Sequence, residues 1–270
     1  MSESSGPSTL AERPVLFDVP GTADVEVERD LAFVAADGAP STYDLYRPRT
    51  APDRGIVIIV SGYPDAGVQR VFGRPFKEMG WTTSWARLLA ASGTTVVAYA
   101  NREPAGDAKA VIAHVRARAD ASGVRQEVGL LACSGHGPLA VSLLMDDHAV
   151  SCATLLYGYT LDLDGGRDVT GAAATFKFVD AAAGRPVGDL AGGAAMLLVR
   201  AGSDEMPGLN RAMDRFVVQA LAANLPLSLV NHPNAPHAFD LSVAGEATRQ
   251  TVHAVLAFFG SHLGRAELGE

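Results

Sequence analysis

The stretch Gly129-Leu-Leu-Ala-Cys-Ser134-Gly-His-Gly137-Pro-Leu-Ala140 decides the fold. Its first half is an apolar run of strand length, suited to a strand covered on both faces of a parallel sheet. Its second half opens a helix marked by Leu139, Leu143 and Leu144. A Ser flanked by small residues stands between them. A sharp strand-to-helix turn crowds its neighbours, so the positions two before and two after the central residue are normally small. Such a turn lifts the Ser134 hydroxyl above the sheet, and the N–H groups that follow open a helix whose dipole favours developing negative charge. Ala132 fits two before; His136, two after, is not small, and its side chain either packs or contacts the pocket. A frame shifted by one residue makes Cys133 the nucleophile, with Gly135 two after it and bulky Leu131 two before. A chance Ser in a strand-to-helix turn is the bland alternative.

Working outward, apolar runs recur at Ile56–Val60, Thr95–Ala100, Ala153–Tyr157, Ala195–Val199 and Leu227–Val230, each predicting a buried strand. Helical spacing at Trp85/Leu88/Leu89, Ala108/Val111/Ile112/Val115, Met213/Phe216/Val217/Ala220 and Val252/Val255/Leu256/Phe259 places amphipathic helices between and after them. Asp24–Ala35 and Ser41–Tyr46 read as an opening antiparallel hairpin with Asp37-Gly38 in its turn. Strands alternating with helices predict an α/β three-layer sandwich with a mostly parallel sheet of eight strands behind the N-terminal hairpin. Residues 1–14 read as a frayed polar tail and 15–270 as one domain. Two irregular stretches, Pro64–Gly80 and the Gly-, Ala- and Asp-rich excursion about 160–193 with a helix near Ala172–Ala182, are either a lid and walls or tolerated surface insertions.

Three further loops carry candidate chemistry. Met196-Leu-Leu-Val-Arg-Ala-Gly-Ser-Asp204-Glu-Met-Pro207 ends a strand and offers a carboxylate before a helix; Asp204 either orients a base or caps the helix, with Glu205 as its neighbour and fallback. Leu229-Val-Asn-His232-Pro-Asn-Ala-Pro-His237-Ala-Phe239 presents two histidines after the last strand. Ile58-Ile-Val-Ser-Gly62-Tyr63 ends the first buried strand in a Gly-containing loop, either an ordinary connection or a source of backbone N–H donors such as acyl transfer uses.

In this order of Ser, Asp and His after successive strands, the chain resembles the α/β-hydrolase superfamily, nearest its dienelactone-hydrolase-like and small-carboxylesterase branches. The match covers roughly Asp24 to Leu263, with Ala132 and His136 where G-x-S-x-G has glycines, and Ser61-Gly62 where His-Gly is frequent. The resemblance implies a triad of Ser134, His237 and Asp204. His237-Ala238-Phe239 matches the family's base loop better than His232. It implies an oxyanion hole from the backbone N–H groups of Gly135 and Tyr63, and hydrolysis of a small-molecule carboxylic ester through an acyl-enzyme, with no cofactor and no metal. The cysteine elbow of dienelactone hydrolases is the model for the Cys133 frame. Two rival readings stand: a non-hydrolytic enzyme of this fold, a cyclase or lyase of secondary metabolism, and a non-catalytic binding module.

Pocket residues are less determined. Tyr157 and Tyr159, just past a strand, either line the pocket or pack. Arg70, Arg74 and Lys77 either bind a substrate carboxylate or form a solvated loop face. Composition narrows the classes further. With 270 residues, 48% apolar, and a net charge of −8, the chain is too apolar for disorder and too acidic to expect nucleic acid as a partner. No apolar run reaches the roughly 20 residues of a membrane span. Two cysteines in apolar runs and an N-terminus without a secretion signal point to the cytoplasm. Arg outnumbers Lys 19 to 3, a bias of GC-rich bacterial genomes. No metal-ligand or phosphate-loop motif appears. Oligomeric state stays open, a homodimer included.

Overall fold

The computed structural model describes residues 7–49, 54–121, 127–146, 150–190 and 193–263. Eight strands, β1 (Glu26–Val34), β2 (Pro40–Arg47), β3 (Ile56–Ile59), β4 (Thr95–Tyr99), β5 (Val128–Cys133), β6 (Val150–Leu156), β7 (Ala195–Ala201) and β8 (Leu227–His232), form one sheet in the order β1-β2-β4-β3-β5-β6-β7-β8. β1 and β2 pair antiparallel, β2 joins β4 antiparallel, and every pairing from β4 through β3 to β8 is parallel. The expected eight-stranded sandwich with its N-terminal hairpin is the observed architecture.

The reason lies in which side chains alternate. Ile56 and Ile58 of β3 enter one core with Val97 and Leu130, while Val57 and Ile59 enter the other with Val96 and Leu131. Each of these side chains leaves water almost completely, worth roughly 1.5–3 kcal/mol apiece. Helices α4 (Pro104–Ala121), α5 (Gly137–Asp146), α6 (Asp168–Phe176) and α7 (Leu209–Ala222) cover the first face. Helices α2 (Asp65–Phe72), α3 (Gly80–Ala91) and α8 (Glu246–His262) cover the second. β5 lies in the middle of the parallel strands. The loops after β3, β5, β6, β7 and β8 therefore open at one rim, the usual ligand side of such sheets.

Four expectations need correction. The stretch after Pro64 is not irregular: it holds α2 and a 3-10 turn, Phe76–Glu78. α2 buries only Asp65 and Val68, so it leaves no apolar stripe to read. Of the polar tail, Pro7–Glu12 forms the short helix α1 with Ala11 buried, and residues 1–6 lie outside the described residues. The helix expected near Ala172–Ala182 sits earlier, at Asp168–Phe176. β8 is an edge strand, with Leu229 45% exposed, where the apolar run predicts burial on both faces. Among the described residues no helix is long and apolar enough to cross a membrane.

Candidate active site

Strand β5 ends at Cys133 in extended backbone, and Ser134 then adopts φ 49°, which L-residues rarely hold. A 3-10 turn, Ser134–His136, leads into α5. The turn needs small neighbours where the chain runs close. A Cβ at residue 135 would overlap the Tyr63 hydroxyl and lie 2.5 Å from Phe178 Cδ1, and one at residue 137 would overlap the Tyr159 carbonyl oxygen.

Three loops converge on this Ser. His237 Nε2 lies 3.0 Å from Ser134 Oγ, and His237 Nδ1 lies 2.7 Å from Asp204 Oδ2. The Asp204 carboxylate is fully covered and its Oδ1 accepts the Met206 N–H at 2.9 Å. Asp204 does not cap α7, because Gly208 occupies that position and the helix begins at Leu209. Glu205 is exposed. His232 ends β8 against Thr248 and the Phe239 ring. A chain of this geometry can carry a proton from the hydroxyl to the imidazole while the carboxylate holds the tautomer.

Cys133 is a core residue, 8% exposed among Ile59, Leu131 and Tyr157. Burial pushes its thiol well above the usual range, and the Asp240 carboxylate adds to this. A thiol kept protonated and covered is a poor nucleophile, so the shifted frame is not the one the fold presents.

The loop after β3 is tied down at almost every polar atom. Ser61 N–H donates to the Tyr99 hydroxyl, and Gly62 C=O accepts the Val179 N–H at 2.9 Å. Tyr63 C=O accepts from Asn101 Nδ2 at 3.2 Å and from Ser61 Oγ at 3.3 Å. Gly62 N–H donates to His136 Nδ1 at 2.7 Å. The backbone N–H groups of Tyr63 and Gly135 have no partner among the described residues. His136 thus packs rather than facing the pocket. It is 5% exposed, and burial pushes its imidazole down to about 3.

The remaining pocket candidates all have partners within the chain. Tyr159 is covered, and its hydroxyl donates to the Pro207 carbonyl, bracing the Asp204 loop. Tyr157, at φ 38°, sets its ring edge-on to His237 at 5.0 Å and donates its hydroxyl to Asp240 at 2.7 Å. Arg74 pairs with Glu12. Lys77, 3% exposed, pairs with Asp30 and Asp44 at 2.9 Å each and ties the hairpin to the loop before α3. Lys77 is thereby committed to carboxylates of the chain itself, Arg74 lies at the surface with Glu12, and Arg70 is exposed on α2.

The sequence does not reveal the role of Asp240, which with His232 and His237 could suggest only a metal site. Asp240 is buried, its Oδ2 accepts Trp81 Nε1 at 2.9 Å and Trp85 Nε1 at 2.8 Å, and burial raises its carboxyl above the usual range. No group of three His, Cys, Asp or Glu suited to a metal occurs among the described residues. Asn101 and Phe178 also escaped notice, because their roles depend on partners far away in sequence.

No family model matches the sequence, and no curated protein matches it. Solved structures do match. An esterase from Rhizomucor miehei superposes with TM-score 0.66 at 16% identity, over 89% of this chain and 86% of its own. A thermophilic, thermostable carboxylesterase cloned from a metagenomic library gives TM-score 0.63 at 18% identity, over 95% and 92%. Brefeldin A esterase, a bacterial homologue of human hormone-sensitive lipase, gives TM-score 0.67 at 17% identity, over 94% and 82%. At these identities the likeness establishes the fold, and the chain has the α/β-hydrolase fold.

Proposed function

We propose that the chain is a serine carboxylesterase acting on small-molecule esters. The observation that carries this reading is the unbroken hydrogen-bonded series from Ser134 Oγ through His237 to Asp204, on a Ser held at φ 49° beside two backbone N–H groups with no partner among the described residues. The esterase neighbours of the same fold support it.

In this mechanism His237 Nε2 takes the Ser134 proton as Oγ attacks the ester carbonyl. The tetrahedral oxyanion is received by the Gly135 and Tyr63 N–H groups. His237 returns the proton to the leaving alcohol, the acyl group stays on Ser134, and water activated by His237 releases the acid. Asp204 keeps the Nδ1 proton in place throughout. The phenol of Tyr63, kept neutral by burial, stands beside Gly135 and bounds the acyl side together with Phe178. We assign the segment 160–190 as a wall of this cleft, since Val179 is bonded to the oxyanion loop. The buried Cys133 favours the small serine-esterase branch over a dienelactone-hydrolase-type cysteine enzyme.

The test is hydrolysis of short-chain p-nitrophenyl esters. Ser134→Ala should lose at least about 10⁴-fold in kcat, while Cys133→Ala stays near wild type. Loss in the Cys variant alone would move the nucleophile. A wild type that turns over no ester would refute the reading and return weight to a lyase, a cyclase or a binding module.

A further inference from the structure

Two residues past Ser134, where the turn calls for a small side chain, this chain carries an imidazole and folds it into the core. Gly62 makes the room: a Cβ at residue 62 would lie 2.9 Å from the Gly135 carbonyl oxygen and 3.0 Å from His136 Cα. The imidazole stacks on Phe76 with centroids 4.1 Å apart and meets the edge of the Tyr63 ring at 4.9 Å. Its Nδ1 accepts the Gly62 N–H at 2.7 Å. One side chain therefore belongs to the nucleophile turn by covalent connection and to the β3 loop by hydrogen bond.

This matters because the two N–H groups assigned to the oxyanion come from those two segments. Glycine is the residue whose backbone turns most freely. Residues 61–63 are held by Tyr99, Val179, Asn101 and Ser61, and the Gly62 N–H has His136 as its partner. The Tyr63 N–H belongs to the next peptide, whose carbonyl is anchored on Val179; without the His136 acceptor the peptide joining Ser61 to Gly62 could rotate against that anchor, and the separation between the loop and the nucleophile turn would no longer be set. We propose that His136 is a positioning residue: by accepting the Gly62 N–H it holds the Tyr63 and Gly135 donors at a fixed separation around the oxyanion. An Nδ1 acceptor requires the neutral ring with its proton on Nε2, and deep burial keeps it neutral.

The proposal rests on the esterase reading, and its test separates the two. His136→Leu fills the slot without an acceptor; His136→Asn places an amide oxygen where Nδ1 stood. On a short-chain p-nitrophenyl ester, His136→Leu should lose about 10- to 100-fold in kcat, somewhat less than deletion of a whole donor, with KM within about threefold. Affinity for an alkylboronic acid, whose tetrahedral adduct on Ser134 mimics the intermediate, should fall by the same factor. His136→Asn should recover most of both. In the wild type, nitrogen NMR should report a neutral His136 with its proton on Nε2 from about pH 5 to pH 9. A folded His136→Leu with wild-type kcat and boronate affinity, an Asn variant as slow as the Leu variant, or a wild-type ring protonated on Nδ1 would each overturn it. If neither variant folds, the tautomer measurement on the wild type decides. If the wild type cleaves no ester and binds no boronate, the esterase reading itself has failed, whatever the tautomer.

Discussion

Replacing Asp204 with Asn tests the proton-passing series at its covered end. The carboxylate uses its two oxygens separately: Oδ2 faces His237 Nδ1 at 2.7 Å and Oδ1 accepts the Met206 N–H at 2.9 Å. An Asn in the same place must keep its oxygen toward Met206, because the reverse orientation sets NH₂ against N–H at a fully covered position. Its NH₂ then points at His237 Nδ1 and forces that nitrogen to accept. The imidazole proton moves to Nε2, which faces Ser134 Oγ as a donor, and no base remains. Loss of a triad carboxylate in this manner costs about 10⁴ in kcat, close to 5.5 kcal/mol of barrier at about 1.4 kcal/mol per decade. KM should move little, because Asp204 sits behind the histidine. The measurement is initial-rate hydrolysis of p-nitrophenyl acetate near neutral pH, with Glu205→Gln, an exposed neighbour, as the control expected within twofold of wild type. An Asp204→Asn enzyme that is folded and within tenfold of wild type would refute the argument, whereas comparable loss in Glu205→Gln would shift the acid by one residue.

Other expectations follow from the surroundings. Cys133→Ala should retain its kcat and cost roughly 1 kcal/mol in urea unfolding, and iodoacetamide should leave Cys133 unmodified in the folded wild type; rapid alkylation with loss of activity would contradict its burial. Lys77→Met strands the fully covered Asp44, which keeps only the half-exposed Arg29 as a charged partner, so stability should fall by roughly 3–5 kcal/mol and Tm by roughly 10 °C. KM for carboxylate-bearing esters should stay unchanged at 25 °C, and a selective rise would restore Lys77 as a substrate receptor. The buried His136 ring, depressed to about 3, takes up its proton in the unfolded chain first. As pH falls from about 6.5 toward 3 this drives unfolding, at up to about 1.4 kcal/mol per unit. His136→Asn should lose that part of the slope in denaturant unfolding measured against pH, and an identical slope would show the ring is not buried neutral.

The parts of this molecule that could be read in one dimension are those whose cause is local. The β5–Ser134–α5 joint declares itself by an apolar run, a small-residue turn and helical spacing within the sixteen residues Gly129–Leu144. Asp204 and His237 stand just past strand ends, and the resemblance to the α/β-hydrolase order is what singles them out there. What could not be read needs a partner from elsewhere. The role of His136 is undecidable along the chain, because its partners are Gly62 and Phe76. Lys77 reads as a loop cation until the bulged hairpin brings Asp30 and Asp44 to it. Asp240 looks like a turn residue until Trp81, Trp85 and Tyr157 close over it. The apolar run of β8 predicts coverage, but an edge strand has a neighbour on one side only, and nothing in a run of leucine and valine says how many neighbours it will have.

The carboxylate of Asp240 has one more consequence. Trp81 and Trp85 are the only tryptophans in the 270 residues, and both indole N–H groups end on the same oxygen, three positions beyond His237 and linked to its ring through Tyr157. Every photon of indole fluorescence from this chain is thus emitted beside the loop that carries the histidine. The molecule contains its own optical gauge of that loop: a disturbance there alters colour and intensity even when the far strands, which hold no indole, stay folded and dark.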